Sequence, residues 1–203
     1  VETGGTGATG YVQGPVNGFG SVFVSGIRFD DSCDCVEDAD GRPLSRDALR
    51  LGMVIEVESG AISTDGSGTR NAVATRIRVG SELLGPVGDV NVDGTTVEVL
   101  GQRVRLTPAT VLDGLPGGVT ALTLGDVVEV HGFFDAGAMM ANYVATRIER
   151  RSGVVENYRV RGIARDLIEK TLRIGTQIFD LTEIGGLPAG LADALSYPFF
   201  QSV

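Results

Sequence analysis

Ala74-Thr75-Arg76-Ile77 recurs as Ala145-Thr146-Arg147-Ile148, and each tetrapeptide closes a segment that opens on Gly-Pro-Val. The two openings are Gly14-Pro15-Val16 and Gly85-Pro86-Val87. An internal repeat is informative about the fold because each copy is one supersecondary unit that packs against its neighbours. The sequence therefore predicts a tandem repeat of small units of roughly 70 residues each.

Longer stretches of the two copies also correspond. Residues 22–29 match residues 97–104, and residues 48–57 match residues 121–130. A third copy starts at Arg161-Gly162-Ile163 and continues through 172–179 and 194–195. It has no closing Ala-Thr-Arg-Ile segment, so we expect an incomplete third repeat.

The local pattern indicates strands. Apolar residues alternate at period two in Met53, Ile55 and Val57, as is typical of a half-buried strand. Asp93-Gly94 lies between alternating apolar residues and predicts a hairpin turn. Short helical segments are expected only where Ser45 can cap residues 46–49 and over residues 187–195.

Short strands and glycine-rich corners favour an all-β fold of tandem small, OB-like β-barrel repeats with five or six strands each. A sandwich is the alternative. We place a flexible leader at 1–10, barrel repeat 1 at 11–82, barrel repeat 2 at 83–153 and a partial repeat 3 at 154–203.

Charge argues against nucleic acid as a partner. The net charge is −9 and the pI is about 4.6, whereas neutralising phosphates requires a basic surface. Residues 147–173 are locally positive, which we interpret as a solvated strand face; a polyanion site and a contact with another copy's acidic loop are the alternatives. No apolar run approaches the ~20 residues of a membrane span.

Two stretches of the chain are similar to a bacterial family of unknown function. The first is residues 14–29, which contain Gly-Phe-Gly-Ser-Val-Phe-Val-Ser-Gly-Ile-Arg-Phe, and the second is residues 51–57. The resemblance implies tandem small β-barrels that are exported or lipid-anchored in Gram-negative bacteria. It brings no activity, substrate or catalytic residue. The Gly/Thr-rich residues 1–10, which lack Met, fit a chain from which a signal peptide or lipoprotein signal has been removed; an arbitrary boundary is the alternative.

Cys33 and Cys35 lie in the acidic segment 30–41, and both depart from the family pattern. We interpret them as small side chains in a solvated loop. A local disulfide and a soft-metal site are the alternatives, but a thiolate site usually needs four ligands. Asp38 and Asp40 resemble part of a calcium-binding loop. We nevertheless predict that the segment is a surface excursion without a tightly held metal, calcium included.

Two other patterns are given structural interpretations. Asp89-Val90-Asn91-Val92-Asp93-Gly94 opens like a calcium loop but has Leu100 where a bidentate Glu is expected, so we predict a turn. His131, the one histidine of the chain, is expected at a strand end in a half-buried or exposed structural role. No catalytic, cofactor-binding or metal residue is assigned, and no cofactor is expected.

The sequence thus favours a non-catalytic binding or structural module of the bacterial cell envelope, periplasmic or anchored to the outer membrane. Its expected partner is an envelope protein or glycan, with a lipid anchor upstream of residue 1 as a further option. The alternative is a carboxylate-dependent hydrolase of envelope glycan. The apolar end, Tyr197-Pro198-Phe199-Phe200, is expected to pack on repeat 2 or on another chain, since the partial repeat leaves an open edge.

Overall fold

The computed structural model describes residues 10–135, 137, 143–168 and 170–182, with backbone only for Arg165. The described chain forms two small β-barrels followed by a three-stranded sheet. The expected all-β fold of small barrels is therefore confirmed. In the described residues, no helix is long and apolar enough to cross a membrane.

Seven strands form barrel 1, and alternate apolar residues of these strands fill its core. The strands are β1 (Gly10–Pro15), β2 (Val22–Val24), β3 (Ile27–Asp30), β4 (Val36–Asp38), β5 (Val54–Ser59), β6 (Ser63–Thr64) and β7 (Arg70–Val79). The pairing order is β1-β5-β7-β3-β2, with β3 and β7 parallel. The Asn17 amide donates to the Phe23 carbonyl at 2.9 Å, which brings β2 back towards β1.

Barrel 2 repeats this order and closes completely. Its strands are β8 (Leu83–Val90), β9 (Thr96–Val99), β10 (Gln102–Arg105), β11 (Val111–Asp113), β12 (Val127–Phe134) and β13 (Tyr143–Arg150). The order β8-β9-β10-β13-β12 returns to β8, and β10 and β13 are parallel. Five strands with this closure have the arrangement of an OB-fold barrel, which leaves no unpaired edge among them.

The two barrels share their register as well as their strand order. Ile77 lies opposite Val57 on β5, and Ile148 lies opposite Val130 on β12. Both isoleucines are 0% exposed. The expectation that these two residues hold equivalent core positions is met.

The hairpin turns explain the repeated glycines. Ser25 and Gly26 have φ angles of 51° and 75°, and Leu100 and Gly101 have 49° and 67°. Two successive residues with positive φ define the turn that matches the twist of paired strands, and glycine adopts it without steric cost.

A third sheet is formed by β15 (Ala164–Ile168), β16 (Thr171–Ile174) and β17 (Gln177–Asp180), while β14 (Arg159–Val160) pairs with β8. Gly175 lies in the hairpin between β16 and β17, within the segment 172–179 that the sequence assigns to the third copy. The sheet contacts barrel 2 where the Gln102 side chain donates to the Ile174 carbonyl at 2.6 Å. The predictions for 187–195 and 197–200 lie outside the described residues.

Of the short helical segments, the Ser45 cap is confirmed. The Ser45 hydroxyl accepts from the Asp47 amide at 3.2 Å, and residues 46–48 form one 3-10 turn. A hydroxyl at this position satisfies an amide that the turn leaves without a backbone partner.

Candidate functional site: a polar groove on barrel 1

The outer face of barrel 1 carries a groove of about 480 Å³ across β3, β7 and β6. Strand pairing places its side chains in two rows. The first row runs Phe23, Arg28, Asn71 and Ser63. The second contains Asp30 beside Val73. Because successive side chains of a strand alternate between faces, Arg28 and Asp30 point outward while Ile27 and Phe29 enter the core.

Arg28 offers hydrogen-bond donors to this groove. Its Nε donates to the Ser21 hydroxyl at 3.1 Å, which orients the guanidinium group. Within the described residues, its two terminal nitrogens make no hydrogen bond or ion pair. A guanidinium group held at Nε presents its remaining donors in one plane.

Asp30 and Asn71 offer acceptors. The Ser32 amide donates to Asp30 Oδ1 at 3.0 Å, and hydrogen bonding from the Ser32 backbone and then its hydroxyl lowers the pKa of Asp30, which is ionised at neutral pH. The Asn71 amide nitrogen donates to Asp65 at 2.9 Å and to the Thr69 carbonyl at 2.8 Å, so its oxygen is left as an acceptor. Hydrogen bonds, led by the Ser67 hydroxyl, lower the pKa of Asp65 to about 2.

Barrel 2 lacks this combination of side chains. By register, Arg103 stands where barrel 1 has Arg28, but Glu98 replaces Phe23 and Arg105 replaces Asp30. The groove is therefore a property of barrel 1 that the shared fold does not by itself produce. Sequence reasoning assigned no residue to it, although the difference between Asp30 and Arg105 is visible when the copies are aligned.

The two barrels meet where a turn of barrel 1 packs on β13 of barrel 2. The Thr146 hydroxyl donates to the Gly52 carbonyl at 2.7 Å, and Arg147 Nη1 donates to the Leu51 carbonyl at 3.2 Å. A Cβ on Gly52 would lie 2.6 Å from the Thr146 carbonyl oxygen. The joint thus requires glycine because of this close approach and because φ at Gly52 is 78°.

Residues 85–149 match the family described as "Domain of unknown function (DUF5666)". Barrel 2 is thus similar to this domain of unknown function. The match runs from the third residue of β8 to the seventh of β13 and so covers the strands that close this barrel. Comparison with curated proteins and with solved structures gave no match.

His131, which lies within the matched residues, corrects one expectation. It is 1% exposed and lies within β12, beside a register shift at Gly132, rather than at an exposed strand end. Its Nδ1 is 3.2 Å from the Gly80 carbonyl oxygen. Burial lowers the pKa of His131, and the neighbouring Arg147 acts in the same direction. His131 is thus packed inside barrel 2 against the Gly80 carbonyl and does not line the groove.

Most arginines in the segment 147–173 pair with carboxylates. Arg147 is buried at the joint and contacts Asp113 and Glu149. The other ion pairs are Arg150 with Asp126, Arg151 with Glu149 and Glu129, Arg159 with Asp40, Arg161 with Glu82 and Arg173 with Asp166. The interpretation as a purely solvated face is therefore wrong for Arg147, and the local positive charge is largely neutralised.

The acidic segment 30–41 also differs from its prediction. It is not a surface excursion, because β4 within it pairs with β7 and Val36 is 4% exposed. Asp31 is buried and lies 2.6 Å from Arg46, while Glu37 lies 2.7 Å from Arg76. These two carboxylates are thus held by arginines of the same barrel, while Asp30 faces the groove. No three His, Cys, Asp or Glu side chains of the described residues group as metal ligands.

Cys33 and Cys35 form a disulfide, with their Cα atoms 5.1 Å apart. This separation lies inside the usual range for a disulfide. Both side chains are partly buried and pack against the core of barrel 1. The structure therefore favours the local disulfide over the solvated loop that we expected.

Asp93-Gly94 forms the predicted turn between β8 and β9. The Asn91 amide donates to the Thr96 carbonyl at 3.0 Å, and Gly94 has a φ of 67°. Asp93 accepts from the Thr95 amide at 2.9 Å, which accounts for an acid at this position.

Proposed function

We propose that the protein is a non-catalytic binding module of the bacterial cell envelope, and that the groove on barrel 1 binds a glycan. The observation that carries this proposal is the groove itself. There, the terminal guanidinium nitrogens of Arg28, which have no partner among the described residues, lie in a row with Asn71 and next to Asp30. A sugar hydroxyl is both donor and acceptor, so a surface that offers both types of group suits it.

Position within the barrel supports the same proposal. In the five-strand numbering of an OB-fold, β2 and β3 are the second and third strands, and β5 and β7 are the fourth and fifth. The groove lies on the face of β2 and β3 and beside the loop between β5 and β7, where OB-fold barrels bind oligosaccharides and oligonucleotides. This support is an analogy of fold. Opposite charges at Arg28 and Asp30, with a net charge of −9, favour the glycan over a polyanion.

Binding without cleavage is proposed because of the carboxylates. Glycoside hydrolysis commonly uses two carboxyl groups about 5 to 9.5 Å apart on either side of the scissile bond. Of the described residues that line the groove, Asp30 is the one that carries a carboxylate.

We also propose that barrel 1 is a second copy of the domain type that matches at 85–149. The shared strand order, the parallel β3–β7 and β10–β13 pairs and the repeated Ala-Thr-Arg-Ile segments support this. Residues 10–79 would then differ from barrel 2 chiefly in the groove and in the disulfide segment.

The test is calorimetric titration of the protein with soluble cell-wall glycan fragments. Arg28→Ala should weaken binding about 10- to 150-fold, because a hydrogen bond to a charged group contributes about 1.5–3 kcal/mol. Arg103→Ala, at the equivalent place on barrel 2, is the matched control and should bind like the wild type. Equal binding by the Arg28 variant, or no binding by the wild type, would contradict the proposal.

A further inference from the structure

The joint between the barrels has a donor side, which supplies the docking turn, and a receiver side, on which that turn packs. These names describe the two surfaces and not the direction of their hydrogen bonds. The donor is the Leu51-Gly52 turn of barrel 1, and the receiver is the outer face of β13 around Thr146 and Arg147. In the joint, Gly52 is buried and the Arg147 side chain is 3% exposed. The register shift between β12 and β13 leaves Thr146 without an opposite residue, so Ala145 and Ile148, three residues apart, both lie in the core while Thr146 faces barrel 1.

Barrel 2 carries the same donor turn with nothing packed on it in the described part of the chain. The Gly125 amide donates to the Val87 carbonyl at 2.9 Å, as the Gly52 amide does to the Val16 carbonyl at 2.9 Å. The φ angles are 87° at Gly125 and 78° at Gly52. Leu124 is 74% exposed, and a Cβ on Gly125 would meet no described atom within 4 Å.

Barrel 1 carries the same receiver, and no residue that the structure describes covers it. Thr75 is exposed on β7, and Val73 beside it is 58% exposed. Arg76 is held by Glu37 at 2.7 Å, in the place where Asp113 holds Arg147. Its Nη1 donates one N–H to Glu58 at 3.5 Å, which leaves the second N–H of this nitrogen for a carbonyl such as the one that Arg147 binds.

We propose that the Leu124-Gly125 turn of one copy docks on the Thr75-Arg76 receiver of a second copy, so that the chains assemble head to tail. The contact would reproduce the internal joint: the Thr75 hydroxyl donating to the Gly125 carbonyl and Arg76 to the Leu124 carbonyl. This assembly does not depend on the proposed glycan function.

A second copy is the occupant that the chain's own pattern supports. The Ala-Thr-Arg-Ile segment occurs twice in the sequence, and the copy at 145–148 is already occupied by barrel 1. The third sheet contacts barrel 2 at Gly101 and Gln102, away from Leu124. The receiver that remains is the one at 74–77, and it belongs to barrel 1.

A contact between two different surfaces of the same chain is heterologous, so it extends into a filament unless the rotation closes a ring. Donor and receiver would then alternate along a line of barrels. The receiver and the groove meet at Val73, so the groove would open next to each contact between chains.

The experiment is analytical ultracentrifugation of the full chain in a concentration series up to about 1 mM, the order of effective concentration that a short linker provides. Leu124→Asp removes the donor and Thr75→Glu removes the receiver. Val154→Asp is the control, because it places the same charge at another exposed apolar residue, 94% exposed. Thermal melting shows that each variant is folded, and Thr75→Val replaces Thr75→Glu if that variant does not fold.

We expect the wild type and the Val154 variant to form species larger than dimers as concentration rises, and each interface variant alone to stay monomeric. A mixture of the two interface variants should stop at a dimer, because one supplies an intact receiver and the other an intact donor. The proposal is overturned if the wild type stays monomeric, if the interface variants assemble like the wild type, or if the mixture forms no dimer.

Discussion

Alanine at Gly52 tests whether the joint between the barrels is a specific contact. Gly52 has a φ of 78°, and an added Cβ would lie 2.6 Å from the Thr146 carbonyl oxygen and 3.1 Å from the Arg147 Cβ. Left-handed backbone costs a residue with a Cβ about 1–2 kcal/mol. Overpacking adds about 1–3 kcal/mol, because the neighbouring atom is backbone and cannot rotate away. Gly52→Ala should therefore cost about 2–5 kcal/mol.

Gly125→Ala is the matched control for this substitution. The turn has the same conformation, with a φ of 87°, but a Cβ there meets no described atom within 4 Å. It should cost only the backbone contribution of about 1–2 kcal/mol. The excess cost at Gly52 measures the joint, and both variants are compared in dilute solution, where copies do not associate.

Urea unfolding measures the free energies of unfolding of the Gly52→Ala and Gly125→Ala variants. A double-mutant cycle that combines Gly52→Ala with Thr146→Val tests whether the difference between them comes from the joint. Removing the Thr146 hydroxyl should cost about 1 kcal/mol in the wild type, because its hydrogen bond to the Gly52 carbonyl is lost. It should cost less once alanine has opened the joint. Equal costs for the two glycine variants, or strictly additive effects in the cycle, would refute this account of the joint.

Two further predictions concern pH. Burial raises the pKa of Tyr143 to about 12, above the unfolded value of about 10. The contribution of Tyr143 to stability is therefore complete below pH 10 and falls by about 2–3 kcal/mol as pH rises to about 12. Tyr143→Phe should lose less stability over this range, and an unchanged slope would contradict this. Burial lowers the pKa of His131, so its contribution is present above about pH 6.5 and is lost as pH falls below that value. His131→Gln should weaken this dependence between pH 7 and 5.5, with a parallel curve as the contradicting result; unfolding in urea at each pH measures both.

Strands, turns and the small-barrel fold were accessible from the sequence because they depend on local patterns. Alternation places Ile55 and Val57 in a strand, and Gly26 and Gly101 mark hairpins wherever the copies correspond. The burial of His131 was not accessible in this way. It depends on the register shift in β12 and on a carbonyl from the linker at Gly80, which only the packed structure brings together.

The groove could not be predicted from the sequence for a related reason. Arg28, Asn71 and Ser63 come from three strands that are far apart in sequence, and pairing of β3 and β6 with β7 makes them neighbours. Each residue alone is typical of a solvated strand face. The Cys33–Cys35 bridge was weighed but not favoured, since alternate residues of a straight strand lie close to the limit for a disulfide. The segment before β4 bends enough to bring the Cα atoms to 5.1 Å.

The repeated tetrapeptide has two roles because a β-bulge lies within each copy, where the strand pairing skips Thr75 and Thr146. Alanine and isoleucine of each copy enter a barrel core, where Ala74 and Ala145 are both 2% exposed. Threonine and arginine of each copy face outward, where one copy holds the neighbouring barrel and the other is uncovered. A requirement for the core alone would explain the alanine and the isoleucine but not the repeated threonine and arginine. Their recurrence on β7, where no described barrel packs, is the feature that head-to-tail assembly explains.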